Sequence, residues 1–191
     1  MLGPYHSRRT LRPTPSAVNW SHRPLGNWLS HGTVGRVQNR GQVGTPRIWT
    51  AVLVAGLAAG VGDTLLAIGM YRVSPAIIYR SVASGLVGRE VAIRGGLATA
   101  ALGMLLHFFI ATTAAAVYFG ASSKIRLLLE RAVPCGLAFG VAVYFFMKQI
   151  VVPLSAARPI PFTWAGLVGH AFLVGLPIAV VARRVLGNEV G

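Results

Sequence analysis

Charge is scarce in this chain, and negative charge is scarcest. Only 12% of its 191 residues are charged, where a soluble domain carries about a quarter. The acids number four: Asp63, Glu90, Glu130 and Glu189. Cysteine is nearly absent. The single Cys135 excludes a disulfide within one chain and suggests no thiolate metal site. Set in an apolar run beside Pro134, it reads as a small buried hydrophobe. Catalytic signatures are missing too: there is no GxSxG, no HExxH, no CxxC and no phosphate-binding glycine loop. Neither an enzyme nor a resident metal is expected.

What the chain has in plenty is apolar surface. Its residues are 54% hydrophobic and its mean hydropathy is +0.62, which places it in the membrane class. A net charge of +14 raises the question of nucleic acid. The arginines, however, sit in the N-terminal segment and beside apolar runs, as in a membrane protein, so no nucleic-acid partner is expected.

Residues 1–47 are a different material. They hold Arg8, Arg9, Arg12, Arg23, Arg36, Arg40 and Arg47 with no acid, and are rich in Pro, Gly, Ser and Asn. They show no hydrophobic periodicity, so a disordered basic tail on the cytoplasmic side is expected. Three sharper readings compete. SRRTLR resembles a twin-arginine export signal, but PTPSAVNWSHRP follows it instead of the required apolar stretch. An arginine-rich, acid-free start also resembles an organellar transit peptide. The third reading is an upstream start codon that is not the biological one.

Four apolar spans follow, at about 49–70, 97–119, 132–152 and 163–182, each near the ~20 residues that a helix needs to cross a bilayer. Lys148 interrupts the third, which Pro153 closes, and the fourth ends on Arg183 and Arg184. Nothing alternates with the period of a barrel strand, so the spans are read as helices. The expected fold is all-α and polytopic: a four-helix transmembrane domain over residues 48–185, with a short C-terminal tail at 186–191.

The stretch SPAIIYRSVASGLVGREVAIRGG joins the first two spans. Ser74 suits a helix cap and Pro75 a first helical position. Ile78, Val82 and Leu86 recur every fourth residue, away from Arg80, Ser84 and Arg89. This predicts an amphipathic interfacial helix over about 75–88, with a re-entrant hairpin as the alternative. The Lys and Arg bias favours both termini in the cytoplasm, although Arg72, Arg80, Arg89 and Arg94 in this loop weigh against it. GLAAGV in the first span echoes GLAFGV in the third, as a duplicated helix pair would produce.

Asp63 carries the sharpest question. A charge at the bilayer centre costs about 2.5–3.5 kcal/mol on insertion scales, so this carboxylate should face the bundle. Gly56, Gly60, Asp63 and Ala67 share a helix face on which another helix can approach. Gly103 lies on a similar stripe with His107, and Gly136 with Gly140 repeats the GxxxG spacing of Gly56 with Gly60. Because alternate spans run in opposite directions, Asp63, His107, Lys148 and His170 all fall in one half of the membrane, with Tyr144 one turn from Lys148. Several uses of this cluster are open. Asp63 and Lys148 form a buried ion pair with the histidines bonded to backbone, or Lys148 snorkels to the headgroups, or the cluster is a polar site for protons, ions or a small solute. His107 and His170 also suit axial ligation of a haem, the one cofactor considered. Pro177 should kink the fourth span.

The working expectation is a small integral membrane protein with a polar intramembrane site that moves protons, ions or a small solute. The alternatives are an accessory subunit of a larger membrane complex and a haem-binding electron carrier. Expected partners are the lipid bilayer, a second copy of the chain or a larger complex.

The ordered set VSPAIIYRSVASGLVGR, GGLATAALGMLLHFFIA, GLAFGVAVYFFMKQIVVPLSAA and GHAFLVGLPIA resembles a family of small, uncharacterised bacterial inner-membrane proteins. The resemblance covers about residues 51–184 and implies a four-helix protein of the bacterial inner membrane. It implies no residue role. The long basic tail departs from the compact start usual in that family.

Overall fold

The computed structural model describes residues 44–157 and 161–187. The tail readings, Arg158 and the last four residues lie outside them. Every element among the described residues is helical: α1 (Thr45–Tyr71), α2 (Pro75–Val87), α3 (Arg89–Arg94), α4 (Gly96–Ser122), α5 (Leu127–Glu130), α6 (Ala132–Phe146), α7 (Val152–Leu154), α8 (Trp164–Gly169) and α9 (Leu176–Leu186). π-helical turns at Met147–Val151 and His170–Gly175 join α6 to α7 and α8 to α9. The result is four helices long and apolar enough to cross a membrane: Thr45–Tyr71, Gly96–Ser122, Ala132–Leu154 and Trp164–Leu186. The chain is an all-α, multi-pass membrane protein.

The two π-turns share a cause. Each ends two residues before a proline, Val151 before Pro153 and Gly175 before Pro177. A proline inside a helix removes one i→i−4 hydrogen bond, and its ring crowds the carbonyl that bond would reach. A wider turn just upstream relieves that crowding while the backbone stays bonded. Pro153 therefore does not close the third span, which continues to Leu154.

The bundle is layered along its axis. Ala51, Val52, Ala55 and Ala59 of α1 meet Ala115, Tyr118 and Phe119 of α4 and Ile178, Ala179 and Ala182 of α9 in one buried cluster. These positions lie toward the end that carries Lys124, Arg183 and Arg184. Their side chains are mostly small, so backbones come close. An added Cβ at Gly56 would sit 2.5 Å from the Thr112 Cα, and one at Gly136 would sit 2.6 Å from the Ala179 Cβ. One at Gly60 would sit 2.7 Å from the Phe108 ring, and Gly140 abuts the backbone of His170 and Ala171. Thus α1 seats α4 on one glycine pair, and α6 seats the fourth span on the other. Leu105 and Phe109 are 67% and 69% exposed, so α4 turns its opposite face to lipid. Cys135 is only half-buried, because the first turn of α6 lies at the bundle's end, where its thiol reaches the Leu127 carbonyl at 3.7 Å.

The joining segment folds as two short helices. Pro75 occupies the first turn of α2, while the Ser74 side chain makes no capping bond. Gly88, at φ 79°, breaks the helix with a backbone conformation that side chains disfavour. α2 docks on α4, with the Tyr79 carbonyl and the Ala83 amide against Gly103. Gly103 lies about two turns, roughly 10 Å, inside the start of α4, a depth the apolar face of an interfacial helix reaches.

Candidate functional site

The polar part of the bundle begins about two-thirds of the way along α1, where Asp63 and Thr64 stand on adjacent faces about 100° apart. They organise two different clusters.

Asp63 meets the fourth span. Its Oδ1 lies 3.3 Å from His170 Nε2, with the two side chains 27% and 18% exposed. His170 Nδ1 lies 2.9 Å from the Gly166 carbonyl. A carbonyl only accepts, so Nδ1 carries a hydrogen and donates it. In the neutral ring Nε2 is then a bare lone pair facing a carboxylate, which is repulsive. The contact is attractive only with one more proton, held either by the imidazole, giving an ion pair, or by the carboxyl, giving O–H···N. A favourable Asp63–His170 contact in this geometry therefore needs one proton between the two groups.

Tyr144 fixes the imidazole from the third span. Its ring packs edge-on against His170 at 5.2 Å between centroids. Its hydroxyl accepts from the Thr163 amide at 3.1 Å and donates to the Thr163 carbonyl at 3.4 Å. Thr163 in turn caps α8, its Oγ1 accepting from the Gly166 amide. One residue thus ties the start of the fourth span to the third. Tyr71, at the end of α1, lies within electrostatic reach of Tyr144 and Asp63. Tyr144→Phe removes the acceptor of the Thr163 amide and leaves that partly buried group unsatisfied, while the Thr163 carbonyl keeps the Leu167 amide at 3.1 Å. It is expected to cost about 1–3 kcal/mol, read as a lower unfolding midpoint in detergent, while the ring contact with His170 persists.

His107 belongs elsewhere. Its Nε2 lies 2.9 Å from the Gly60 carbonyl and 3.3 Å from Thr64 Oγ1. Here Nε2 must carry the hydrogen. The Thr64 hydroxyl also donates to the Gly60 carbonyl, at 2.9 Å, and accepts from the Tyr79 hydroxyl at 3.2 Å. This second cluster fills the seam of α1, α2 and α4.

Lys148 does not pair with Asp63. It stands in the first π-turn with its Nζ 5.3 Å from the Phe162 ring centroid, and Phe162 stacks edge-on with Trp164. Its long stem carries the ammonium toward the end of the span, where aromatic rings gather at a membrane interface. Asp63 takes the imidazole because Gly169, the residue before His170, packs directly on Leu66 one turn along α1.

The haem reading does not fit these residues. Both ring nitrogens of His170 are engaged, and His107 Nε2 is committed to another seam. Thr64, Tyr79 and Thr163 carry no distinguishing signal in the sequence, although Thr64 directly follows Asp63 and Thr163 stands where the fourth span begins. No family model, curated protein or solved structure matches the chain. The resemblance to small bacterial inner-membrane proteins thus rests on its motifs alone and assigns no role.

Proposed function

We propose that this membrane protein moves protons, alone or coupled to a small solute, through the Asp63–His170 pair, and that it is not an enzyme. The observation that carries the reading is the 3.3 Å separation of Asp63 Oδ1 and His170 Nε2 between two spans. One proton makes that contact favourable and its loss makes it repulsive, so proton occupancy and helix packing are linked. The π-turn starting at His170 supports the reading, since such turns are frequent at functional sites. Ionisable groups inside a membrane commonly mark such pathways. Four spans enclose little volume, and the pair keeps some exposure at the surface of a single chain, so a second copy would complete the pathway.

The proposed setting is a bacterial inner membrane. Four crossings bring both ends of the bundle to one face. Among the described residues that face has Arg47, Lys124, Arg126, Arg131, Arg183 and Arg184, against Arg72, Arg80, Arg89, Arg94 and the outward-reaching Lys148 on the other. The bias favours a cytoplasmic location for both ends.

The test is proton flux in vesicles holding purified protein, read with an entrapped pH dye. Asp63→Asn keeps the size of the side chain, and its amide donates to Nε2. It cannot exchange a proton there. Flux should fall to that of empty vesicles while the folded protein is retained. Wild-type flux from Asp63→Asn would sink the proposal.

A further inference from the structure

We propose that the cleft between α2 and α3 binds the phosphate group of an anionic phospholipid. The cleft encloses about 380 Å³, and Ile77, Arg80, Ser81, Ser84, Arg89 and Ile93 line it. That volume lies in the range of small-molecule sites. The turn at Gly88 (φ 79°) brings α3 back so that Arg89 and Ile93 face Arg80 and Ile77.

Its chemistry is one-sided. Two arginines line it, and no acidic residue does. The neighbouring acid, Glu90, is engaged outside, 3.6 Å from Arg94. Arg80 Nε donates to the Ala76 carbonyl at 3.3 Å, a bond that uses one of the five guanidinium N–H donors and leaves the others for a ligand. The Ser84 hydroxyl donates to the Ser81 carbonyl at 2.6 Å, while Ser81 keeps its hydroxyl as a donor. Two like charges in one cleft call for an anion, and planar guanidinium groups match phosphate oxygens in pairs.

Position selects a lipid over a soluble phosphate. α2 and α3 link the end of α1 to the start of α4, so the cleft lies at the membrane face. Ile77 and Ile93 in its wall are 48% and 56% exposed, and Leu86 and Val91 beside it are 65% and 55% exposed. A free phosphate has no use for that apolar rim, whereas acyl chains lie along it. The cleft is separate from the Asp63–His170 pair, and the inference does not depend on the proposed transport.

The test is native mass spectrometry of the full chain released from mixed bilayers of phosphatidylglycerol and phosphatidylcholine. The wild type should retain phosphatidylglycerol preferentially. Arg89→Gln and the double variant Arg80→Gln/Arg89→Gln should each weaken retention by about tenfold or more, the loss expected for charge-assisted bonds. Arg183→Gln/Arg184→Gln, at the opposite face, should not. Arg89 is exposed at the start of a short helix, so Arg89→Gln keeps the test valid if Arg80→Gln disturbs folding. Equal retention by wild type and Arg89→Gln overturns the site. Inorganic phosphate competing as well as the lipid overturns the lipid assignment in favour of a soluble anion.

Discussion

Gly140→Ala is expected to be among the most damaging single-carbon changes in the protein. The added Cβ has no room: the His170 carbonyl lies against it, and the Ala171 Cα would stand 2.7 Å away. Both neighbours are backbone, so no rotamer change relieves the clash. The third and fourth spans must separate locally. Overpacking of this kind costs about 1–3 kcal/mol, occasionally more. The displaced atoms belong to His170 and its neighbour, so the Asp63–His170 contact opens as well. Gly120→Ala is the matched control. Gly120 is also inside a membrane-spanning helix, but nothing lies within 4 Å of the new carbon. There the change should stabilise by about 0.5–1 kcal/mol through reduced backbone freedom of the unfolded chain. Unfolding midpoints in one detergent, monitored by tryptophan fluorescence, test both. Midpoints that move together would mean that the α6 contact with the fourth span does not hold the bundle.

The same contact shows what the sequence makes legible. The four spans are readable because hydrocarbon thickness sets a length and composition that little else imitates. The small-residue faces of Gly56 with Gly60 and Gly136 with Gly140 are readable because helical spacing is regular. The shared depth of Asp63, His107, Lys148 and His170 follows from counting along antiparallel spans. Rotation and pairing do not follow. Depth alone leaves His107, Lys148 and His170 as equal partners for Asp63, and the fold divides them among two seams and the membrane surface. Two physical reasons stand behind this. A π-turn inserts an extra residue into the repeat, so a wheel drawn through 147–151 or 170–175 loses its phase. Only Pro153 and Pro177 mark where those turns fall, and a proline alone reads as a stop or a kink. The hydroxyls of Thr64 and Tyr79 also look ordinary in sequence. Their importance comes from meeting the Gly60 carbonyl and His107 at one point, which the packing of α1 on α4 and the docking of α2 beside them bring about.

Asp63 and His170 should be thermodynamically coupled, and Asp63 and Lys148 should not. Asp63→Leu leaves the His170 lone pair or charge without a partner in a largely apolar seam. His170→Phe leaves the carboxyl without one. Each single change is expected to cost about 1–3 kcal/mol, the range for a stranded polar group and below that for a fully buried ion pair, because the side chains are 27% and 18% exposed. The double variant strands neither group and should recover much of the loss, giving a coupling well above the ~0.5 kcal/mol scatter of independent sites. The parallel cycle of Asp63→Leu with Lys148→Met should be additive, because the Lys148 ammonium lies over the Phe162 ring. Denaturant unfolding in mixed micelles measures both cycles. Coupling to Lys148 instead of His170 would place the carboxylate against the ammonium and remove the shared proton on which the transport reading rests. Coupling to His170 with proton flux unaffected in Asp63→Asn would leave the pair as a clasp between the first and fourth spans. Because the amide introduced by Asp63→Asn still donates to Nε2, stability and flux part company in that one variant, and it separates a clasp from a conductor.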